Sequence, residues 1–222
     1  MNGPRPVSPE ILQVHHIADN TTAEGFGHRM ALWVQGCANR CPGCMAPDTW
    51  DYAGGTPMAV SELIQRLHRN REAIEGITLL GGEPFDQALP LARLAREARQ
   101  LGLSVITFTG YTLEALRRRE DPGIRDLIQA TDLLIDGPYL QEQRSFARPW
   151  VGSDNQQFRF LSSRYTPDDL QKEHNRIEMR ILPDGTLRTN GMTDFPALLE
   201  SLLCPEAPSG RTEQPEKEGG FS

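Results

Sequence analysis

Three cysteines, Cys37, Cys41 and Cys44, stand at C-x3-C-x2-C spacing in the stretch from Gln35 to Met45. Thiolates are soft ligands for iron and zinc, and three on so short a loop can reach three corners of one iron–sulfur cube. A [4Fe–4S] centre ordinarily takes a full set of cysteines, so three leave one iron without a protein ligand. An open metal position marks chemistry rather than scaffolding. The same thiols also allow a structural zinc site completed by His28 or Cys204, although zinc loops favour paired C-x2-C knuckles. They could instead be buried or disulfide-bonded, but three is an odd number and no secretory segment is evident.

The neighbouring sequence must hold that loop. Met30 to Val34 is a short apolar run that reads as a buried strand, so the cysteines leave a strand end, where α/β folds place ligands. Asp48 to Asp51 is expected to pack back over the loop with Trp50 as an anchor. The polar, Gly-containing stretch from Thr21 to Arg29 is either a lid or a plain connection. A strand over Ile11–Ile17 would put His15 and His16 on opposite faces, which excludes a shared metal. Thr56-Pro57-Met58 opens a helix from about Ala59 to Asn70, with Leu63, Ile64 and Leu67 on one face.

The next strand, from Gly76 to Leu80, runs into Gly81-Gly82-Glu83-Pro84. Two glycines at a strand end let a ligand approach backbone without interference from Cβ atoms, though the string alone could be a turn. Leu89–Leu101 has helical spacing of Leu91, Leu94, Ala95 and Ala98, with a solvated arginine face. A strand over Leu103–Thr109, helices near Thr112–Arg119 and Ile124–Gln129, and a strand over Leu133–Ile135 follow. This alternation predicts parallel βαβ units with right-handed crossovers. Every candidate residue then lies at a strand's C-terminal end, the functional face of such sheets.

The 222 residues are 38% hydrophobic and 24% charged, enough for one core. A net charge of −7 argues against a nucleic-acid surface. No apolar run approaches a membrane span, and the N-terminus lacks a charged-then-apolar signal. A cytoplasmic protein acting without nucleic acid or membrane is expected. Pro4, Pro6 and Pro9 make residues 1–10 an irregular tail. Residues 11–161 form the core domain, and residues 162–204 an extension with a β-hairpin turning on Asp184-Gly185. Residues 205–222 are rich in Pro, Glu, Gly and Ser, and read as a disordered tail.

Taken together, Gly36-Cys37, Cys41-Pro42-Gly43-Cys44, the GGEP string, Thr109-Gly110-Tyr111, Asp136-Gly137-Pro138-Tyr139 and Gly152-Ser153-Asp154-Asn155-Gln156 resemble the anaerobic ribonucleotide reductase activating enzymes of the radical S-adenosylmethionine (SAM) superfamily. The resemblance runs from about Gly25 to Leu161. It implies a partial parallel β/α barrel, here carrying the hairpin extension. It implies a [4Fe–4S] cluster on Cys37, Cys41 and Cys44, whose open iron is chelated by SAM. Reduction would split SAM into methionine and a 5′-deoxyadenosyl radical, which takes hydrogen from a glycine of a partner enzyme. Gly43 and Met45 would line the adenine side, and Gly81, Gly82 and Glu83 would hold the methionyl end. Thr109 and Gly110 would touch SAM, and Asp136 would offset the sulfonium, bind the ribose hydroxyls, or simply serve its turn. A class III ribonucleotide reductase-like glycyl-radical enzyme and a reductant such as flavodoxin or ferredoxin are the implied partners. Two features depart from the pattern: Met45 stands where a planar residue commonly follows the last cysteine, and the small activating enzymes end before a hairpin. A maturase or tailoring enzyme acting on a peptide or small molecule, and a non-catalytic iron–sulfur or zinc module, are the other readings.

Overall fold

Alternating apolar residues build a central sheet with a helix layer on one side. In the computed structural model, which describes residues 9–194, 198 and 200, the strands are β1 (Ile11–Thr21), β2 (Arg29–Val34), β3 (Thr56–Ala59), β4 (Gly76–Gly81), β5 (Ser104–Thr109), β6 (Leu133–Asp136) and β7 (Gln157–Phe160). They form one open sheet in the order β3-β1-β2-β4-β5-β6-β7. The central run β2-β4-β5-β6 is parallel, and β1, β3 and β7 add antiparallel margins. The expected βαβ cadence is therefore present at the centre of a mixed sheet.

The crossovers use α1 (Val60–Asn70), α2 (Ala88–Gln100), α3 (Leu113–Arg117) and α4 (Pro122–Ala130). Strand side chains alternate between faces. Met30, Leu32, Val34, Ile77, Leu79, Val105 and Leu134 pack with Leu63, Leu67, Leu91, Leu94, Leu116 and Leu127 of the helices. The opposite face carries Ile106, Leu133 and Ile135, covered by Phe26, Trp150 and Val151 rather than by those helices. The four crossover helices share one face, and only the short helix Pro167–Leu170 sends a side chain, Leu170, to the other, which distinguishes this winding from a doubly wound sheet.

Several boundaries differ from expectation. Thr56–Ala59 pairs with β1 as an edge strand, so α1 begins one residue later, at Val60. β1 continues to Thr21 through two irregularities in its pairing with β2. The stretch after it is no loose lid: Ala23, Glu24, Gly25 and Phe26 are buried, and the Phe26 ring stacks on Tyr165 at 4.3 Å. Arg29, read as loop, is fully buried at the start of β2. Its guanidinium donates to Thr78 Oγ1 at 2.6 Å, to the Phe26 carbonyl at 3.0 Å, to Ser104 Oγ at 3.0 Å and to the Ile77 carbonyl.

The hairpin forms as β8 (Ile177–Ile181) and β9 (Leu187–Gly191), with Gly185 at positive φ in the turn. Its Glu178 accepts from the Thr22 amide at 2.7 Å, and its Asn190 donates to Thr21 Oγ1 at 3.0 Å and Glu24 Oε1 at 3.2 Å. No helix among the described residues is long and apolar enough to cross a membrane. Cys204, residues 1–8 of the N-terminal tail and the 205–222 tail lie outside the described residues.

Candidate active site

Four loops leaving the C-terminal ends of β2, β4, β5 and β6 meet around the cysteines. The first is built by a fold-back. The Gly36 amide donates to the Thr49 carbonyl at 2.7 Å and the Cys37 amide to the Trp50 carbonyl at 3.2 Å. Gln35 Nε2 ties to the carbonyls of Asp48 and Asp51 at 3.0 and 2.8 Å. The cysteine loop is thus pinned at its base by the segment that follows it, as the sequence predicts. Arg40 within it holds φ 44°, a left-handed conformation unusual for a residue with a side chain.

All three thiols are free; Cys37 is buried, and Cys41 and Cys44 are half-buried. Burial pushes the Cys37 thiol up to about 11, against the pull of the Arg40 and Asn39 amides aimed at its sulfur. Cys41 is likewise raised by burial, opposed by the Tyr139 amide. The Ala46 amide reaches Cys44 Sγ at 3.4 Å. Burial thus favours the protonated thiol at Cys37 and Cys41 until a metal displaces the proton. N–H groups aimed at ligand sulfurs are the outer contacts that set the potential of an iron–sulfur centre.

The donor set therefore fits a cluster. Among the described residues no three His, Cys, Asp or Glu side chains already converge on a single-ion position; in a cubane each sulfur reaches a different iron, so such convergence is not required. The zinc reading loses His28. That residue precedes β2 while the cysteines follow it, and the strand alone spans about 17 Å. His28 is bound instead to Asn20 at 2.7 Å.

Glu83 joins three of the loops. The Gly82 amide donates to the Val34 carbonyl and the Glu83 amide to the Gly36 carbonyl, each at 2.8 Å, carrying the β2–β4 pairing past the strand ends. A Cβ on Gly82 would lie 2.3 Å from the Gly36 oxygen, so only glycine permits this approach. The Glu83 carboxylate, fully buried, accepts from Phe85 N at 2.9 Å, Thr109 Oγ1 at 2.8 Å, Gly110 N at 2.9 Å and Asn39 Nδ2 at 3.1 Å. Burial raises it to about 7, against those donors. Four donors and no competing acceptor make the ionised form the one this pocket is shaped for. Gly110 is as constrained as Gly82, since a Cβ there would sit 2.4 Å from Asn39 Nδ2.

Asp86, one turn further, collects two phenols. Tyr111 donates to one oxygen at 3.0 Å and Tyr52 to the other. Burial and the neighbouring carboxylate push both phenols up, Tyr111 to about 12. On the far side, the loop after β6 touches the cysteines through the Tyr139 amide and through Gln141, which lies against Gly43. Asn155 and Gln156 brace that loop from the carbonyls of Pro138 and Gly137, at 2.7 and 3.4 Å. The GSDNQ string thus supports the DGPY turn rather than the cysteines directly.

The structure gathers Gly43, Gly81, Gly82, Glu83, Thr109 and Gly110 with the cysteines at one edge of the sheet. Met45 stands 51% exposed beside them, free to cover a ligand. Asp136 is placed differently. It is 1% exposed, with one oxygen accepting from the Leu113 amide at 2.7 Å and the other paired with Arg159 at 2.9 Å. That carboxylate anchors α3 and β7 and is buried between them rather than turned to a ligand. Sequence reasoning missed Asn39, Asp86 and Tyr52, whose roles are tertiary contacts with no local pattern.

Residues 23–159 match the family model for the 4Fe–4S single cluster domain. The anaerobic ribonucleoside-triphosphate reductase-activating protein of Haemophilus influenzae is 33% identical over 141 residues, 60% of this chain and 87% of its own length. Its namesake from Salmonella typhimurium is 31% identical over 152 residues, 65% of this chain and 96% of its own. That of Enterobacteria phage T4 is 32% identical over 139 residues, 60% of this chain and 83% of its own. The chain belongs to the 4Fe–4S single cluster domain family of radical SAM enzymes, whose cofactors are a [4Fe–4S] cluster and SAM.

Proposed function

We propose that this protein reductively cleaves SAM and uses the resulting radical chemistry to place a glycyl radical on an anaerobic ribonucleotide reductase-like partner. The supporting observation is the single carboxylate of Glu83, which ties the cysteine loop, the GGEP turn and the β5 exit into one preorganised edge. When bound, the cluster supplies the electron that breaks a carbon–sulfur bond of SAM. Cys37, Cys41 and Cys44 would hold it, leaving one iron for the amino acid end of SAM. The amides of Gly82 and Glu83 are committed to the carbonyls of Val34 and Gly36, and the SAM ammonium, itself a donor, would meet the GGEP backbone through carbonyl oxygens. Thr109 and Glu83 would act by orienting that backbone, Gly43 and Met45 by lining the adenine side. The gathering of the crossover helices on one face favours a sheet curled as a partial barrel around this edge. A cytoplasmic setting, a flavodoxin- or ferredoxin-like reductant, and action independent of nucleic acid and membrane complete the reading.

The test is direct. Reconstituted protein, reductant and SAM are incubated anaerobically with an anaerobic reductase, and the mixture is examined by electron paramagnetic resonance. A glycyl doublet that depends on SAM supports the proposal. SAM cleavage without a doublet on any such reductase contradicts this choice of partner. One observation favours a second reading, a peptide- or small-molecule-modifying radical enzyme: the hairpin Ile177–Gly191 lies outside the family-matched residues 23–159.

A further inference from the structure

Asp86 stands half-buried in the short helix Pro84–Gln87, its amide donating to the Glu83 carbonyl at 3.0 Å. Each of its oxygens accepts from a phenol, Oδ1 from Tyr111 at 3.0 Å and Oδ2 from Tyr52. A phenol is a far weaker acid than a carboxylic acid, so the protons stay on the tyrosines and the negative charge on Asp86. The two phenols come from different loops, one following the cysteines and one leaving β5. Among the described residues no Lys, Arg or His forms an ion pair with this carboxylate. Arg119 lies 3.8 Å over the Tyr111 ring, so its contact is with the phenol. Arg40 of the cysteine loop is exposed, where water and salt screen its charge.

Tyr52 brings this carboxylate to the base of the cysteine loop. Its ring lies against Gly36, where a Cβ would stand 2.3 Å from the ring's Cδ1, and Gly36 precedes Cys37. The Glu83 amide holds the carbonyl of the same glycine at 2.8 Å. Both carboxylates add to the burial that raises the Cys37 thiol. We propose that Asp86 is a positioning residue that lowers the reduction potential of the [4Fe–4S] cluster, acting through Tyr52 at the base of the cysteine loop. Net charge and solvent exposure set the potential of such a centre, and a fixed negative charge in a partly dry setting opposes the arrival of an electron. The reductant loses one electron, the cluster gains it, and no proton or group moves. The purpose rests on the radical reading: splitting a carbon–sulfur bond of SAM calls for a strongly reducing cluster, and Asp86 makes it one.

The experiment uses the full chain reconstituted with iron and sulfide. It is titrated anaerobically at pH 8 with titanium(III) citrate and redox mediators, without SAM, and the reduced cluster is quantified by electron paramagnetic resonance. Asp86→Asn keeps the shape and removes the charge. Its reduction equilibrium should shift roughly tenfold toward the reduced cluster, a midpoint higher by about 59 mV for one electron. Tyr52→Phe keeps both the ring and the charge, and its midpoint should not rise. Asp86→Glu restores the charge and should return the equilibrium to within about twofold of wild type. Equal midpoints in wild type and Asp86→Asn would overturn the inference. An equal rise in Asp86→Asn and Tyr52→Phe would assign the effect to hydrogen bonding and overturn it too. If Asp86→Asn retains no iron, Asp86→Ser takes its place; loss of the cluster from both neutral variants would make Asp86 a structural support and overturn the inference. SAM plays no part in the titration, so the predicted midpoints without any SAM cleavage would refute the radical reading while leaving the electrostatic role of Asp86 standing.

Discussion

Asn39, between the first two cysteines, donates its side-chain amide to the Glu83 carboxylate of the GGEP turn at 3.1 Å. This bond fixes the cysteine loop against the strand that follows it in the sheet, with Gly110 packed against the same amide. The cysteine loop and the GGEP turn are therefore set relative to each other by the fold itself.

Replacing that carboxylate tests the coupling. Glu83→Gln puts an N–H pair where donors already point, leaving buried groups unsatisfied, and should cost on the order of 3 kcal/mol in urea unfolding of the cluster-free protein. Asn39→Ala removes one donor and should cost about 1 kcal/mol. Both should weaken SAM binding to reconstituted protein by more than they weaken iron retention. Unchanged SAM affinity in Glu83→Gln would refute the coupling.

Gly82→Ala probes the close approach of the two loops. Its Cβ would meet a backbone oxygen of Gly36 at 2.3 Å, which cannot rotate aside, so overpacking should cost about 1–3 kcal/mol. The cysteine loop should shift and iron per chain after reconstitution should drop. Wild-type iron content and stability would show that the loops are not in contact.

Glu24 gives the protein a stability that depends on pH. Burial raises its carboxyl from 4.5 to about 7, with Glu178 adding repulsion and Asn190 and Gly191 opposing. The folded state thus holds a proton that the unfolded chain has released between those values. The stabilisation is full below pH 4.5 and is lost as pH rises through 7. Wild type should lose on the order of 2–3 kcal/mol relative to Glu24→Gln between pH 5 and 8. A constant difference across that range would contradict this assignment.

Arg29 carries the far end of the sheet. Arg29→Met would strip donors from the carbonyls of Phe26 and Ile77 and from Ser104, and should cost about 3 kcal/mol by thermal or urea unfolding, the penalty of buried acceptors left unsatisfied. A loss below 1 kcal/mol would mean that water or neighbouring groups replace the guanidinium.

Much of this was legible in local pattern. The apolar runs Met30–Val34, Gly76–Leu80 and Leu133–Ile135 appear as strands because buried parallel strands need apolar residues on both faces. The turns at Gly81-Gly82 and Asp184-Gly185 announced themselves through glycine. What stayed hidden depended on distant partners. Thr56–Ala59 becomes a strand only because β1 offers it an edge, and Arg29 looks like a loop residue until Thr78, Ser104 and Tyr165 surround it. Asp136 read as a ligand-facing acid because sequence does not show that Arg159 and the Leu113 amide claim it. Asn39 and Asp86 had no signature at all, since each acts across more than 20 residues of intervening chain.

The central claim is SAM cleavage at a cluster held by three cysteines. The most direct measurement is anaerobic quantification of 5′-deoxyadenosine from protein reconstituted with iron and sulfide, reduced and given SAM, beside a Cys41→Ala control. The account predicts 5′-deoxyadenosine from the wild type and none from Cys41→Ala. A wild-type protein with an intact cluster that neither binds nor cleaves SAM would contradict it.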